Sequence, residues 1–418
     1  MPLRLLLTAL VATLLLAALT PPPDPAPKRL LVFEHPIGFG YTVFDLDDGT
    51  MLRHIDLAEW LRQWRDGAMR SFVTDAGVYV PKGRYNRVPE QPTMEVHEVD
   101  LLTAQAEVRY TFSMDFDPIR VAPSTGLYFG VMDQDGEPAD DPLRVVHGHV
   151  DEPVPTTSWR LETEEHPYTF QVTRRTPDSL RSLSQRLEPI ETHLAPDGRF
   201  LLTVNRYMNT EKADGGHGAS TRLAPASDDR IHEPELSWYV LIGFSEDAEE
   251  PVFVQRAYPN VPAVVFSAES RYVCYANQIG YDQGTSMLCR DRDHGYQFAS
   301  IPIGPFDANL SDVDLIEVGD DGLVASHAYR VFRDQPLTHF FRVDTTGTRT
   351  AFVSHPFAVK TTLPFDDDHY LAVEFPREGA VPVHYLDRAT LRLDRTDTLR
   401  YDPDINLFSG AIRLLAAR

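Results

Sequence analysis

Apolar and polar residues alternate with a period of two along most of this chain, and the alternation keeps doubling back across short turns rich in Asp and Gly. The stretch His193 to Tyr207, HLAPDGRFLLTVNRY, shows the unit. A short extended segment enters a Pro-Asp-Gly turn, and an alternating apolar run leaves it. Asp-Gly between two such runs predicts a hairpin whose two central positions both take positive φ. The same shape returns as FVTDAGVYVPK, VAPSTGLYFGV, FSAESRYVCYAN, IEVGDDGLVASHA and LPFDDDHYLAVE, with turns near Asp75, Ser124, Asp197, Glu269, Asp320 and Asp367.

A second hairpin follows the first in each unit, over 96–112, 158–175, 238–258, 286–303, 338–355 and 383–399. A repeat of ~45–50 residues, lengthened twice by insertions, is the period of a four-stranded propeller blade. Three strands near the start, 30–35, 41–46 and 51–57, form a unit that lacks its first strand. The apolar segment 405–415 at the other end is free to supply it. The pattern therefore predicts an all-β fold, a seven-bladed β-propeller with four-stranded blades, its ring closed by N- and C-terminal strands. Closure leaves no blade with an open edge. The APDGRFLLTV pattern, followed by a strand ending in Asp and a short polar turn, resembles the YVTN and TolB-type bacterial β-propellers over roughly residues 30–415. The resemblance is architectural; it implies a fold and no function.

The first residues stand apart. Arg4 precedes an unbroken apolar run, Leu5–Leu19, stopped by Pro21-Pro22-Pro23. Residues 1–20 read as a signal peptide or N-terminal membrane anchor, 21–29 as a Pro-rich tether, and 30–418 as the propeller. The apolar run is short for crossing a bilayer, yet Pro21 is a poor residue just after a cleavage point, so both readings stand. Either way the folded part is expected to be exported, periplasmic or extracellular. A formal net charge of −23 argues against nucleic acid or an anionic membrane surface as partner. Cys274 and Cys289 face each other across a hairpin centred near Tyr281-Asp282, a disulfide candidate in an exported protein.

Loop lengths carry the functional expectation. Turns between the first and second strands of a unit, and between the third and fourth, are tight. The connections from second to third strand and from one unit to the next hold the insertions, 58–69, 82–95, 132–157, 176–189 and 206–236. In an up-and-down blade these emerge on one face, where binding residues collect. His35 (or Glu34), Lys82, Asp133, Asn205, Asn277, His327 and Glu374 stand where each second strand leaves the core toward that face. A polar set at one level is a candidate lining for a small polar ligand or a divalent cation such as calcium. Polar strand ends that merely meet solvent are the plainer reading.

Other motifs are weaker. His147-Gly148-His149 spaces two imidazoles for a shared metal but has no third ligand. His217 and His232 bracket the longest insertion, Asp366-Asp367-Asp368 reads as a solvated turn, and Trp60, Leu61 and Trp64 with 176–189 read as short helix-like stretches packed on the sheets. There is no G-x-S-x-G elbow, C-x-x-C-H, P-loop or dinucleotide fingerprint. The expectation is an exported, non-catalytic propeller that binds an envelope or extracellular protein, or a small polar ligand, through its long-loop face. A lactonase- or lyase-like enzyme with a polar or metal site in the central mouth is the alternative.

Overall fold

The computed structural model describes residues 28–35, 40–57, 71–74, 77–82, 94–113, 116–132, 143–152, 155–161, 185–209, 239–257, 264–278, 285–295, 297–302, 313–329, 336–405, 407 and 411–416. Over these residues the protein is all-β and built of small antiparallel meanders. Sheet 1 joins β4 (Phe72–Thr74), β5 (Gly77–Lys82), β6 (Met94–Val99) and β7 (Ala106–Phe112). Sheet 2 joins β8 (Phe116–Ala122), β9 (Leu127–Met132), β10 (Leu143–His149) and β11 (Thr157–Leu161). Sheet 3 holds β12 (Gln185–Leu194), β13 (Phe200–Asn209), β14 (Tyr239–Ser245) and β15 (Phe253–Ala257). Sheet 4 holds β16 (Val264–Phe266), β17 (Tyr272–Gln278), β18 (Thr285–Asp291) and β19 (Gln297–Pro302). Sheet 5 is β20 (Val313–Gly319), β21 (Gly322–Tyr329), β22 (Leu337–Val343) and β23 (Arg349–His355). Sheet 6 is β24 (Val359–Pro364), β25 (His369–Glu374), β26 (Ala380–Asp387) and β27 (Leu393–Arg400).

Sheet 7 draws on both ends of the chain. The last strand, β28 (Ile412–Ala416), pairs antiparallel with β1 (Arg29–Glu34), Val32 standing opposite Arg413. β2 (Gly40–Asp45) and β3 (Thr50–Asp56) complete the meander. A single parallel pair, Arg400 with Thr50, sets the outer edges of sheets 6 and 7 side by side.

Apolar packing ties each sheet to the next. Val78 and Val80 of sheet 1 pack with Val32 and Tyr41 of sheet 7, and Tyr79 of sheet 1 with Tyr128 of sheet 2. Phe129 of sheet 2 meets Phe244 of sheet 3, and Phe200 of sheet 3 meets Tyr275 of sheet 4. Cys274 then packs with Phe341, Phe340 with Tyr370, and Leu371 with Phe33, which returns the series to sheet 7. Both faces of each second strand are therefore buried, which is why these strands read as nearly continuous apolar runs. The arrangement is propeller-like.

The tight turns join one another at one end. Thr125 Oγ1 in the β8–β9 turn donates to Asp197 O in the β12–β13 turn (3.1 Å), and the Asp197 N–H donates to Ser270 Oγ in sheet 4 (3.0 Å). Arg292 of sheet 4 also binds the Asp197 carboxylate at 2.6 Å. Arg271 reaches Asp320 of sheet 5 at 2.7 Å, Arg388 of sheet 6 pairs with Glu317 of sheet 5, and Arg29 of sheet 7 lies 3.7 Å from Asp366 of sheet 6. Asp197 and Asp320, which mark turns in the sequence, and Asp366 beside a third are thus latches between neighbouring sheets.

Three expectations need correction. The Pro-Asp-Gly hairpin has one positive-φ residue, Gly198 at 76°, not two. Pro196 sets φ for the second position of an ordinary turn, closed by Gly198 N–H to Ala195 O at 2.9 Å, and the left-handed residue comes after it. A Cβ on Gly198 would also sit 2.8 Å from the Cβ atoms of Ala122 and Leu127 in sheet 2. Second, LRVVHGH is the strand β10, not part of an insertion over 132–157, and the strand pair placed at 158–175 is β10 with β11. Third, β12 and β13 reach into both neighbouring insertions: residues 185–189 are strand rather than helix-like, and β13 runs on to Asn209. Residues 1–27, Trp60, Trp64, Asp133, 176–184, His217 and His232 lie outside the described residues.

Candidate functional site

Of the polar positions singled out in the sequence, those among the described residues fall at equivalent places on their strands. Lys82, Asn205, Asn277, His327 and Glu374 each stand five residues after the first residue of their second strand, at Gly77, Phe200, Tyr272, Gly322 and His369. His35 follows the end of β1 directly. Alternation along a strand puts residues two apart on one face, so this level caps the apolar layer between each sheet and the one before it.

Three of these side chains are buried. Asn205 is 0% exposed, His327 1% and Glu374 9%. Asn205 Nδ2 donates to Thr203 Oγ1 at 2.8 Å. Lys82 stands opposite Glu95, whose carboxylate lies 3.2 Å from His97 Nε2. Burial, opposed by Glu95, holds the His97 imidazole below its usual range.

In sheets 5, 6 and 7 the level extends across the outer strands as a polar row. In sheet 6, His384 Nε2 meets Glu374 Oε1 at 2.8 Å and His384 Nδ1 meets Thr396 Oγ1 at 2.9 Å. Phe357 stacks on the His384 ring at 3.8 Å and on His355 at 5.1 Å, fixing the imidazole plane. In sheet 7, Thr42 Oγ1 is shared between His35 Nε2 (2.9 Å) and His54 Nδ1 (3.1 Å). In sheet 5, His327 stands opposite His339, and His339 Nδ1 meets Ser354 Oγ at 2.8 Å. Burial and the neighbouring His54 lower the His35 pKa from 6.5 to about 4, and burial beside Arg349 lowers that of His339. The His35 and His339 rings therefore favour the uncharged form and act as hydrogen-bonding groups that tie strands together.

The first strands carry charge that the sequence reading did not single out. Asp314 on β20 accepts from Thr361 Oγ1 (2.8 Å) and the Thr362 N–H (2.9 Å) on β24, and burial raises its pKa. Lys360 on β24 donates to Leu407 O at 3.3 Å, and burial lowers its pKa to about 8. Arg413 on β28 lies within electrostatic range of Asp314. Arg120 on β8 donates to Thr192 O of β12 at 3.4 Å and lies 5.3 Å over the ring of Phe72 in β4. The available signal was a charge inside an otherwise apolar strand, as with Asp314 in VDLIEV and Arg413 in IRLLA.

The remaining candidates separate. His147 is buried against Phe129, ring centres 4.5 Å apart, with Nε2 3.8 Å from Glu246, and burial lowers its pKa. His149 turns instead to Thr125 O at 3.2 Å, so the two imidazoles do not converge. Asp366 Oδ1 accepts from the N–H groups of Asp368 and His369 at 3.0 and 2.7 Å, which makes it a turn cap. No three His, Cys, Asp or Glu side chains come together as a metal site among the described residues. Cys274 and Cys289 are register partners on β17 and β18 and form a disulfide.

The class that these features define is a propeller-like assembly of small sheets with a polar layer at one end. No family model and no curated relative matches the chain. Among solved structures it is similar to a functionally unknown protein of Desulfotomaculum acetoxidans, with 11% identity and TM-score 0.45 over 93% of this chain and 99% of that one. It is also similar to the dihydro-heme d1 dehydrogenase NirN, with 12% identity and TM-score 0.42 over 90% of this chain and 64% of that one. Kuenenia stuttgartiensis hydrazine synthase gives 11% identity and TM-score 0.41, over 84% and 90% of the two chains. At these values the likeness carries nothing about activity.

Proposed function

We propose that the protein is an exported, closed seven-bladed β-propeller that works by binding, and that it binds through the end bearing the second-to-third-strand and sheet-to-sheet connections. One observation carries the reading. At the tight end the longest described connections are 150–156 and 246–252, whereas the opposite end holds 57–71, 162–184 and 210–238. Strand closure needs only a few residues, so extra length at one end alone serves contact with something else. The ring is supported by the unbroken series of sheet-to-sheet apolar layers and by the pairing of β28 with β1. The partner is an envelope or extracellular protein, or a small polar ligand. The enzyme alternative gains no specific observation, because the polar level it would draw on is buried and engaged within the sheets.

Replacing 210–238 by Asn-Gly, the two-residue turn suited to the β13–β14 hairpin, separates fold from function. The variant should melt as the parent does while losing its cross-links to envelope proteins and any ligand-induced thermal shift. Retention of both with the connection removed refutes the reading.

A further inference from the structure

We infer that the first strands of sheets 5, 6 and 7 form a site for an oxyanion, the carboxylate or phosphate group of a small ligand, at the inner edge of the elaborated end, with Arg413 and Lys360 as its cations. This names a ligand class for the binding proposed above and rests on that reading. Placement is the first support. The first strands lie innermost: β8 lies against β12, β16 against β20, β20 against β24 and β24 against β28, whereas the last strands β3, β7, β23 and β27 turn exposed residues outward. Asp314, Lys360 and Arg413 are each the second residue of their strand, counted from the elaborated end. Three successive inner strands therefore carry a charge at the same step.

The balance of these charges favours an anion. Asp314 is already engaged, since Thr361 Oγ1 and the Thr362 N–H both donate to its Oδ2, at 2.8 and 2.9 Å. β24 lies between β20 and β28, so the electrostatic reach from Arg413 to Asp314 is met on the inner side of β24. Arg413 is exposed, and its guanidinium makes no hydrogen bond or close ion pair among the described residues. Such a fork is preorganised for two parallel bonds to a carboxylate or phosphate. Lys360 Nζ donates to Leu407 O at 3.3 Å and, with a pKa lowered by burial to about 8, is mainly cationic at neutral pH. Two cations thus stand with one carboxylate, a local positive excess that repels a metal ion and draws an oxyanion. The chain as a whole carries −23, but salt screens that field within about 8–10 Å, so it slows an anion's approach without cancelling the contact.

The test titrates the full chain with sodium succinate and with sodium phosphate, at an ionic strength held constant with sodium chloride, and reads binding by calorimetry and by the shift in melting temperature. At least one of the two should bind, and Arg413→Gln should weaken it about tenfold or more, the worth of a charge-assisted bond. Lys360→Met should act in the same direction, while Arg53→Gln, on the outward strand β3, leaves binding as it was. Arg413→Lys keeps the charge and gives up the fork, so it should fall between the parent and Arg413→Gln. A response to succinate alone assigns the site to a carboxylate, and a response to phosphate alone assigns it to a phosphate group. Absence of binding by either at ~50 mM, or affinity unchanged in Arg413→Gln, overturns the inference. Removal of 210–238 leaves all three first strands in place, so loss of partner cross-links there and loss of oxyanion binding here are separate results.

Discussion

The closing strand is the most exposed point of the architecture. Ile412 and Leu415 of β28 are 3% and 5% exposed, and they serve different layers. Ile412 packs in the layer joining sheets 6 and 7, and Leu415 in the layer joining sheet 7 to sheet 1. Replacing either by Ala removes buried methyl groups from a site that the covalent chain cannot close by other means. Each change should cost about 2–4 kcal/mol. Because the two clusters do not overlap, the losses should add to about 4–8 kcal/mol. That is comparable with the whole stability of an ordinary domain, ~5–15 kcal/mol. Urea unfolding of the parent, the two single variants and the double variant, followed by circular dichroism and by tryptophan fluorescence, measures this directly. If β28 closes the ring, both midpoints fall and the two probes stay coincident, because opening the seam loosens every sheet-to-sheet layer. A loss below about 0.5 kcal/mol for both, the level of an ordinary surface change, refutes closure.

The His35 pKa is lowered from 6.5 to about 4 by burial and His54. Its neutral form is the one the fold favours, so stability is fully present above pH 6.5 and is lost as pH falls toward 4. The full shift corresponds to roughly 3 kcal/mol and, discounted for partial exposure, about 1–2 kcal/mol; thermal melts of His35→Gln should show a flatter loss over that window than the parent. His97, His147 and His339 are shifted the same way, so some acid sensitivity remains in that variant. Gly198→Ala meets both a φ of 76° and the 2.8 Å approach to sheet 2, and should cost about 1–3 kcal/mol in denaturant unfolding, more than Gly295→Ala, where φ is also positive but a Cβ meets no atom within 4 Å, so that only the backbone part, about 1 kcal/mol, is lost. Reducing Cys274–Cys289, which closes a loop with separation 15, should cost about 3 kcal/mol, read as a lower melting temperature with reductant that the double Ala variant does not show.

Hairpin counting reached far into this fold because Asp, Gly and Pro at the tight turns hold a register from which every second strand can be measured. That is how Lys82, Asn205, Asn277, His327 and Glu374 came out on one level without any coordinates. β10 was hidden because its seven residues, LRVVHGH, break the alternation twice. His147 is a buried imidazole tilted against Phe129, and Gly148 leaves room for Tyr128, whose ring would lie 3.0 Å from a Cβ there. Both residues are dictated by the neighbouring strand β9, and a pattern read along one strand does not report its neighbour.

The environment of the polar level was illegible for a related reason. Period-two alternation marks a buried face only when the opposite face is wet. Here both faces of each second strand are covered, one by the sheet before and one by the sheet after, so a polar residue in the run looks the same whether it opens to solvent or is sealed. What decides in sheet 6 is the partner two strands away, Thr396 for Glu374 through His384, while in sheet 5 Ser354 bonds His339, the ring that stands opposite His327. Those partners lie in strands whose sequences, LDRTDTLR and RTAFVSH, are outward-facing and otherwise unremarkable. A buried acceptor left without such a partner costs about 1–3 kcal/mol, so the rows are the condition on which polar residues can occupy this level at all. On the proposed reading, binding at the elaborated end is therefore sought first in the connections themselves and in the charged first-strand positions Asp314, Lys360 and Arg413.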